Sequence, residues 1–360
     1  MPLCHGLSDS PDNLCAVKLK PGLSDQDDLL QQFEMIEFNV NILLASVVAA
    51  AAPIVLAAVG ETITEKAGLI NLSLDGSILL SAMAAFAVAY ETRSLMLGFL
   101  GGAVVGALVA AAVAVFSIYL HQNQVAVGFV LTLMTRDLAY FIGNPYSRLP
   151  GPQVEPLPIS LLKNIPFLGD VFFNHNLPVY FSLIIIGLAW WYIYYTPWGL
   201  KLRSVGEHPR AAFARGINPQ KLQLAYAIIG GLLVGLAGAT FSLATKPGWG
   251  RPQGAEGTGW IALALVIFGG WHPAKAAGGA YLFAFLQVLG IYLQDWLPSV
   301  PSQVFQVAPF PLMIFTLLIM SLAQKDFVLR WAANKARLKK LLGFFSGLAP
   351  SSLGKPYQPD

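Results

Sequence analysis

Long apolar runs alternate with short polar intervals from residue 41 to residue 323 of this chain. A transmembrane α-helix needs about 20 predominantly apolar residues, and most of these runs approach that length. We therefore predict an all-α, polytopic transmembrane helix bundle with about 9–10 spans, including a broken segment near residues 60–92. The predicted spans cover residues 41–59, 76–92, 96–119, 125–142, 178–196, 223–243, 257–270, 276–293 and 309–323.

Polar sequence flanks the apolar region at both ends. Residues 1–38 form a polar N-terminal tail and residues 324–360 a basic C-terminal tail, so the predicted transmembrane domain covers residues 39–323. The composition agrees, because 56% of the residues are hydrophobic and only 11% are charged, whereas soluble proteins average about 25% charged residues. Lipid must therefore solvate much of the surface. Within the spans, GxxxG spacings such as Gly102/Gly106 and Gly231/Gly235 favour close helix packing.

The sequence lacks the motifs of several function classes. It has no G-x-x-x-x-G-K-[ST] loop for ATP, no HExxH or Cys/His cluster for a metal, and no Ser/His/Asp set that can be assigned. The net charge of +3 is too small to indicate nucleic-acid binding. We expect a protein that is not an enzyme and that carries no cofactor or metal of its own.

The distribution of Lys and Arg predicts the orientation in the membrane, because cytoplasmic loops carry an excess of these residues. Basic residues are concentrated in the interval 197–222 and in the tail after residue 323, so both are predicted to be cytoplasmic. The intervals 143–177 and 294–308 carry few or none and are predicted to face outward. The C-terminus is therefore expected in the cytoplasm.

The stretch "GETITEKAGLINLSLDG", residues 60–76, interrupts two apolar runs with polar residues. Thr62 followed by Glu65 matches a capping box, and Asp75 is placed to cap a helix that starts at Gly76. The pattern thus predicts two helical pieces, 62–72 and 76–92, joined by a break at "NLSLDG". Transporters use such breaks at membrane depth to bind polar substrates.

The sequence leaves two arrangements open for residues 60–75. If this interval enters the membrane as an extra short segment, which its pattern favours, the N-terminus is cytoplasmic. If it is a short surface helix in the cytoplasm, the N-terminus lies outside. Asn71 and Asp75 likewise have two alternatives: they bond free backbone groups at the break, or they present polar atoms to a solute in transit.

The basic stretch "PWGLKLRSVGEHPRAAFARGINPQ" predicts a short helix between two spans. Pro209 suits its first turn and Gly216 its end. The small residues Ala211, Ala212 and Ala214 suit insertion into a groove on another protein. The alternative, a solvated basic loop, explains the charges but not the alanines.

Four motifs in order resemble the permease subunits of bacterial ABC importers for nucleosides and simple sugars, the branched-chain amino acid/ribose-type permease family. They cover residues 40 to about 325, and the acidic "L-D-G" form is more similar to the nucleoside branch than to the ribose branch. The motifs are "GETITEKAGLINLSLDGSILLSAMAAF", "NQVAVGFVLTL", "VGEHPRAAFARGIN" and "GWIALALVIFGGWHP".

The resemblance implies a translocation path in a multi-pass protein of the bacterial cytoplasmic (inner) membrane. It implies three protein partners: an ATP-binding subunit that binds the ATP, a second permease subunit (a paralogue), and an extracytoplasmic substrate-binding protein. By motif position, the translocation path is expected to include Asn71, Asp75, Asn123 and Gln124. Coupling to the ATPase is expected to involve Gly206, Glu207, Pro209, Ala211, Ala212 and Gly216, with Ala212 at the contact.

Arg136 and Asp137 depart from the family pattern, which has small or apolar residues there. Adjacent residues point along different helix faces, so the two cannot pair across a turn. Charges inside a membrane are costly and are usually functional or paired elsewhere. The alternative is a position near the outer interface, where the cost falls.

Two other classes remain as alternatives to an ATP-driven importer. An ion-gradient-driven secondary transporter of a small polar solute also uses broken helices, but it needs no docking helix and favours an ion-coordinating carboxylate at mid-membrane. A structural membrane protein has no need of Asn and Asp at a helix break.

Overall fold

The computed structural model describes residues 40–159 and 168–296, together with residues 300, 301, 304, 307, 311, 314, 315, 318, 347 and 349–355. The predicted N-terminal tail lies outside the described residues, as do most of the 309–323 span and most of the C-terminal tail. Within the described ranges the secondary structure is helical, with no strand.

Eleven α-helices follow one another along the described chain. Several begin at a proline, whose fixed φ suits a first helical turn and whose missing N–H is not needed there. In chain order they are α1 (Val40–Lys66), α2 (Leu74–Thr92), α3 (Leu95–Ile118), α4 (Gln124–Gly143), α5 (Leu168–Phe172), α6 (Leu177–Tyr195), α7 (Pro197–Glu207), α8 (Pro209–Ala214), α9 (Pro219–Thr240), α10 (Thr258–Phe268) and α11 (Pro273–Trp296).

Seven helices among the described residues are long and apolar enough to cross a membrane: α1, α2, α3, α4, α6, α9 and α11. A short 3₁₀ turn, Asn144–Tyr146, extends α4, and a single π-helical turn, Phe241–Thr245, extends α9. The all-α polytopic prediction is confirmed. The first eight predicted spans each correspond to a helix, although the seventh, α10, is a shorter apolar helix.

Glycines set the distance between α3 and α9 at the centre of the bundle. A Cβ atom at Gly106 would lie 2.4 Å from the carbonyl oxygen of Gly231, and one at Gly235 would lie 2.3 Å from that of Gly102. These backbones are therefore in direct contact, which only glycine permits. The predicted GxxxG packing is confirmed.

The bundle has two ends, each marked by its own connections. At the basic end, which carries residues 197–222, Gly206 packs so closely on α1 that a Cβ would lie 2.1 Å from the Lys66 carbonyl oxygen. At the loop end, which carries residues 246–257, Arg148 N–H donates to the Trp249 carbonyl at 2.9 Å and Val154 N–H to the Leu243 carbonyl at 2.8 Å.

Helix α1 runs once between these two ends. Near its start, Val48 and Ala52 pack with Val171 and Val179, while its last residue, Lys66, lies at the basic end. The prediction of an extra short membrane segment at 60–75 is therefore wrong, because residues 60–66 complete the same crossing. Residue 40 consequently lies toward the loop end, opposite α7.

Candidate functional site

The connection between α1 and α2, residues 67–73, runs from the basic end back into the bundle. Ile70 N–H donates to Gln124 Oε1 at 2.9 Å, and the Leu72 carbonyl accepts from Thr132 Oγ1 at 2.7 Å. Thr132 lies about 12 Å along α4 from its first residue, at 1.5 Å per residue. Helix α2 therefore begins well inside the bundle. A helix break at depth, expected near residues 60–92, is present.

The predicted caps at this break are wrong. Thr62 lies inside α1, where its hydroxyl donates to the Ala58 carbonyl at 2.7 Å, so residues 62–72 are not a separate helix. The N-cap position of α2 is Ser73, and the helix begins at Leu74. Asp75 lies in the first turn and accepts from Gly259 N–H at 3.3 Å. Continuous α1 hydrogen bonding leaves no N-terminus at Thr62 for a capping box to satisfy.

Asn71 satisfies the backbone of the break. Its side-chain oxygen accepts from the Ser73 N–H at 3.1 Å and from the Ser73 hydroxyl at 2.6 Å, and the residue is 1% exposed. Its own N–H donates to Glu61 Oε1 at 3.1 Å. These bonds correspond to the first of the two roles open to Asn71, bonding groups that the helix break leaves free. Its contact with a solute stays a prediction.

The other expected path residues are placed in a similar way. Gln124 is buried and bonds Ile70, and Asp75 is buried and bonds Gly259. Asn123 is exposed and caps α4, accepting from the N–H groups of Val125 at 2.9 Å and Ala126 at 3.1 Å. None of the four lines the polar cavity or the apolar cavity described below.

Two carboxylates of α1 are buried beside the break. Glu65 accepts a hydrogen bond from the Trp271 indole N–H, which ties α1 to the turn between α10 and α11. Glu61 accepts from Asn71 through Oε1, while its Oε2 is buried without a partner among the described residues. The sequence pattern predicts Glu65 in a capping box, whereas in the structure Glu65 forms a contact between distant segments.

At the basic end, α8 confirms the predicted short helix. It spans Pro209–Ala214, with Pro209 as its first residue, and Gly216 follows with a φ of +80° that suits glycine. Ala211 and Gly216 are exposed, and Glu207 and Pro209 are half-buried.

Ala212 and Gly206 face the protein's own interior instead. Ala212 is only 4% exposed in this chain, and its expected contact with an ATPase stays a prediction. The helical repeat explains the difference, because the exposed alanines, Ala211 and Ala214, lie on the opposite face of the same short helix. Gly206 is buried against the end of α1.

A segment near the C-terminus joins α7 to the break. Ser352 N–H donates to the Gly206 carbonyl at 3.0 Å, and Gly354 N–H donates to the Gly68 carbonyl at 3.2 Å. Ser351 Oγ donates to Glu207 Oε2 at 2.9 Å. Sequence reasoning missed this contact, since "SSLG" carries no signal beyond small residues that allow close approach. This part of the tail lies at the basic end.

Arg136 and Asp137 are both exposed on α4, the least buried of the seven candidate spans. Neither is enclosed by this chain.

At the loop end, Glu256 organises residues 246–257. Its carboxylate accepts from the Tyr140 hydroxyl, from Gln253 N–H at 2.8 Å and from Gly254 N–H at 2.6 Å. Burial alone would raise the pKa of Glu256, but these donors outweigh it and hold the pKa below its usual value. The carboxylate is therefore ionised at neutral pH.

An open polar cavity of about 270 Å³ lies beside this loop, between α1, the π-helical turn, α10 and α11. Sequence reasoning missed it, although a lysine at the end of an apolar run, followed by "PGWGRPQG", was an available signal. Its lining residues are Ala50, Ile54, Phe241, Thr245, Lys246, Gly254, Thr258 and Gln287. A second cavity, of about 580 Å³, is lined almost wholly by apolar side chains.

Comparison with known proteins identifies relatives over most of the chain. Residues 43–320 match the family model described as branched-chain amino acid transport system / permease component. The chain is 37% identical over 257 residues to a putative glucose ABC transporter permease protein, TsgC13, of Haloferax volcanii, covering 70% of this chain and 78% of that protein.

Two further relatives are named for nucleosides. The guanosine ABC transporter permease protein NupQ of Bacillus subtilis is 31% identical over 77% of this chain and 91% of its own length. The nucleoside ABC transporter permease protein NupC of Lactococcus lactis is 30% identical over 79% of this chain and 92% of its own length. No solved structure matches the chain.

Proposed function

This chain belongs to the family of permease components of branched-chain amino acid transport systems, and from that premise we propose that it carries a nucleoside or a simple sugar across the membrane. It is a permease subunit of an ABC importer. The proposal for the substrate is supported by relatives named for glucose, guanosine and nucleosides. These solutes share several hydroxyl groups, which a pathway must hydrogen-bond in place of water.

The position and exposure of α8 at the basic end support coupling to a separate ATP-binding subunit. Helix α8 is a short helix between two spans that presents Ala211 and Ala214 outward, a surface that suits insertion into a groove of a separate ATP-binding subunit. Behind it, α7 contacts both the end of α1 and, through Ser352, the break at Gly68. A displacement of α8 by the ATP-binding subunit would therefore be transmitted through α7 and the break to the start of α2.

We place the basic end in the cytoplasm of a bacterial inner membrane, because the positive-inside rule assigns the interval 197–222 to that side. Residues 350–354 lie at the same end, which supports a cytoplasmic C-terminal tail. The loop end then faces outward, where an extracytoplasmic binding protein would deliver the solute. Residue 40 would lie on that outward side.

A second permease subunit would cover the exposed face of α4. Arg136 and Asp137 are exposed there, and a charged side chain at the centre of a bilayer costs about 2.5–3.5 kcal/mol on insertion scales. A neighbouring subunit with polar groups at this depth would remove that cost. This supports the expected permease pair and accounts for the departure from the family pattern.

The test is reconstitution into liposomes with and without the partner subunits. We expect uptake of a nucleoside or simple sugar only when the ATP-binding subunit and ATP are present. Ala211→Arg should place a cation in the docking groove, where desolvation costs several kcal/mol, and should suppress solute-stimulated ATP hydrolysis. Ala274→Arg, at another exposed alanine, is the control and should not.

Accumulation by this chain alone under an ion gradient would contradict the proposal and favour the secondary transporter. Unchanged ATP hydrolysis in Ala211→Arg would show that α8 is not the docking element. Both variants must first reach the membrane in normal amounts, which detection of the assembled complex verifies.

A further inference from the structure

The polar side chains around the 270 Å³ cavity differ from the other polar side chains of the bundle. Asn71, Asp75, Gln124 and Glu256 each accept hydrogen bonds from the protein's own backbone. Within the part of the chain that the structure describes, the side chains of Thr245, Lys246 and Gln287 make no hydrogen bond or ion pair, and all three are exposed to the cavity.

Two backbone features hold Lys246 at this cavity. The π-helical turn Phe241–Thr245 ends α9 immediately before it, and π-helical turns occur frequently at functional sites. Gly254 lies against its ammonium group: a Cβ there would be 2.8 Å from Lys246 Nζ, and the φ of +86° at Gly254 also favours glycine. The Glu256 carboxylate fixes Gly254 through its N–H. The loop thus leaves room for the lysine head group.

The lining groups define the chemistry of a ligand. The ammonium group offers three donors and no acceptor, the threonine hydroxyl both donates and accepts, and the glutamine amide does the same. Phe241 and Ile54 supply apolar wall. A solute with hydroxyl or carbonyl oxygens and one apolar face matches this set, whereas a solute with its own positive charge is repelled by Lys246.

We propose that this cavity is a solute-binding station at the loop end, at which Lys246, Thr245 and Gln287 hydrogen-bond an uncharged, oxygen-rich solute and Lys246 excludes its cationic analogues. This inference rests on the proposed transport function. It adds which residues bind the solute and that Lys246 selects against positively charged solutes. The binding groups are thus on the π-helical turn and α11, not at the break between α1 and α2.

The test compares Lys246→Gln, Lys246→Arg and a control, Lys221→Gln, in the complete importer in liposomes. Lys221 lies in the first turn of α9 at the basic end, away from the cavity. Uptake is measured for glucose and glucosamine, and for adenosine and 5′-amino-5′-deoxyadenosine, at a pH at which the amines are protonated. Solute-stimulated ATP hydrolysis is measured in parallel.

We expect Lys246→Gln to raise the half-saturating concentration of the transported neutral solute on the order of tenfold, since a hydrogen bond to a charged group contributes about that factor or more. It should also decrease the ratio of neutral-solute uptake to uptake of the amino analogue. Lys246→Arg should retain the preference, and Lys221→Gln should change neither quantity.

Three outcomes are distinguishable. If wild-type protein imports neither neutral solute, the proposed function itself fails. If it imports one of them and Lys246→Gln changes neither half-saturation nor the preference, the function stands and the cavity assignment is overturned. If Lys246→Gln does not assemble, the same question is put to Thr245→Cys and Gln287→Cys.

These cysteine variants are made in a background in which Cys4 and Cys15 are serine. A membrane-impermeant thiol reagent should label them from the loop end, and the transported solute should slow the labelling at least severalfold. Labelling that is indifferent to the solute would also overturn the proposal.

Discussion

The break at residues 67–73 and the loop at residues 246–257 both bring polar sequence into an apolar bundle, but they use it differently. At the break, the Asn71 side chain accepts from the Ser73 N–H of the same segment, while Gln124 and Asp75 accept from backbone N–H groups of other segments. At the loop, the Glu256 carboxylate likewise accepts from backbone N–H groups. In contrast, the side chains of Thr245, Lys246 and Gln287 make no hydrogen bond or ion pair among the described residues.

The difference separates structural from functional polarity. A helix that starts inside the bundle leaves backbone groups that lipid cannot satisfy, so nearby amides and carboxylates must do so. The side-chain oxygens that accept these hydrogen bonds are then occupied by the protein itself. Unbonded polar groups that face an open cavity are available, which makes the loop the better candidate for solute contact even though the break has the more polar sequence.

The largest effect is expected from closing the space at the break. Gly259→Ala would put a Cβ atom about 2.1 Å from the Asp75 backbone nitrogen, and overpacking of this kind costs about 1–3 kcal/mol or more. The midpoint of thermal unfolding of purified protein should fall clearly. Gly187→Ala, where no atom lies within 4 Å of the added carbon, is the matched control and should not lower the midpoint, because alanine is favoured over glycine inside a helix.

A pair of substitutions tests the comparison directly. Asn71→Leu removes the acceptor for the buried Ser73 N–H, which costs about 1–3 kcal/mol when unsatisfied, whereas the Ser73 hydroxyl keeps Ser77 Oγ as a partner at 3.2 Å. It should therefore lower the unfolding midpoint. Gln287→Leu removes an exposed, unbonded amide and should lower solute affinity while the midpoint is preserved. The reverse pattern in unfolding and uptake assays would make Asn71 the solute-contact residue.

The smallest effect is expected at Glu256 and depends on pH. Its folded-state pKa is lowered, so the carboxylate stabilises the fold above its ordinary pKa near 4.5, and this stabilisation is lost as the pH falls through the folded value. Because the group is partly exposed, Glu256→Gln should cost only about 0.5–1 kcal/mol at neutral pH. The difference from wild type should shrink in acid.

Glu155→Gln, at an exposed glutamate of the same end, is the matched control. Unfolding midpoints measured across the acid range should show no comparable loss for this variant. A Glu256→Gln difference that stays constant into acid would mean that the carboxylate does not hold the loop.

The sequence by itself determined the all-α bundle, eight of its spans and the short helix at Pro209. The bounds of these spans agree with the helices to within a few residues, except that α1 extends further at its C-terminal end and α9 at its N-terminal end. These follow from local rules: apolar length, proline at a first turn and glycine after a last one. The existence of a break near Asn71 also followed, because polar residues and glycine interrupt an apolar run.

Only the tertiary structure decided what each polar side chain bonds. Thr62 and Glu65 fit a capping box in sequence, yet the α1 backbone continues through them because Gly60 and Thr64 pack tightly on Gly230. Likewise, the burial of Ala212 depends on how the segments of the chain pack, and so does the ammonium group of Lys246, which has no partner among the described residues and lies against Gly254. Hydrogen-bond partners and burial are properties of packed surfaces, and local patterns carry no information on which distant segment supplies them.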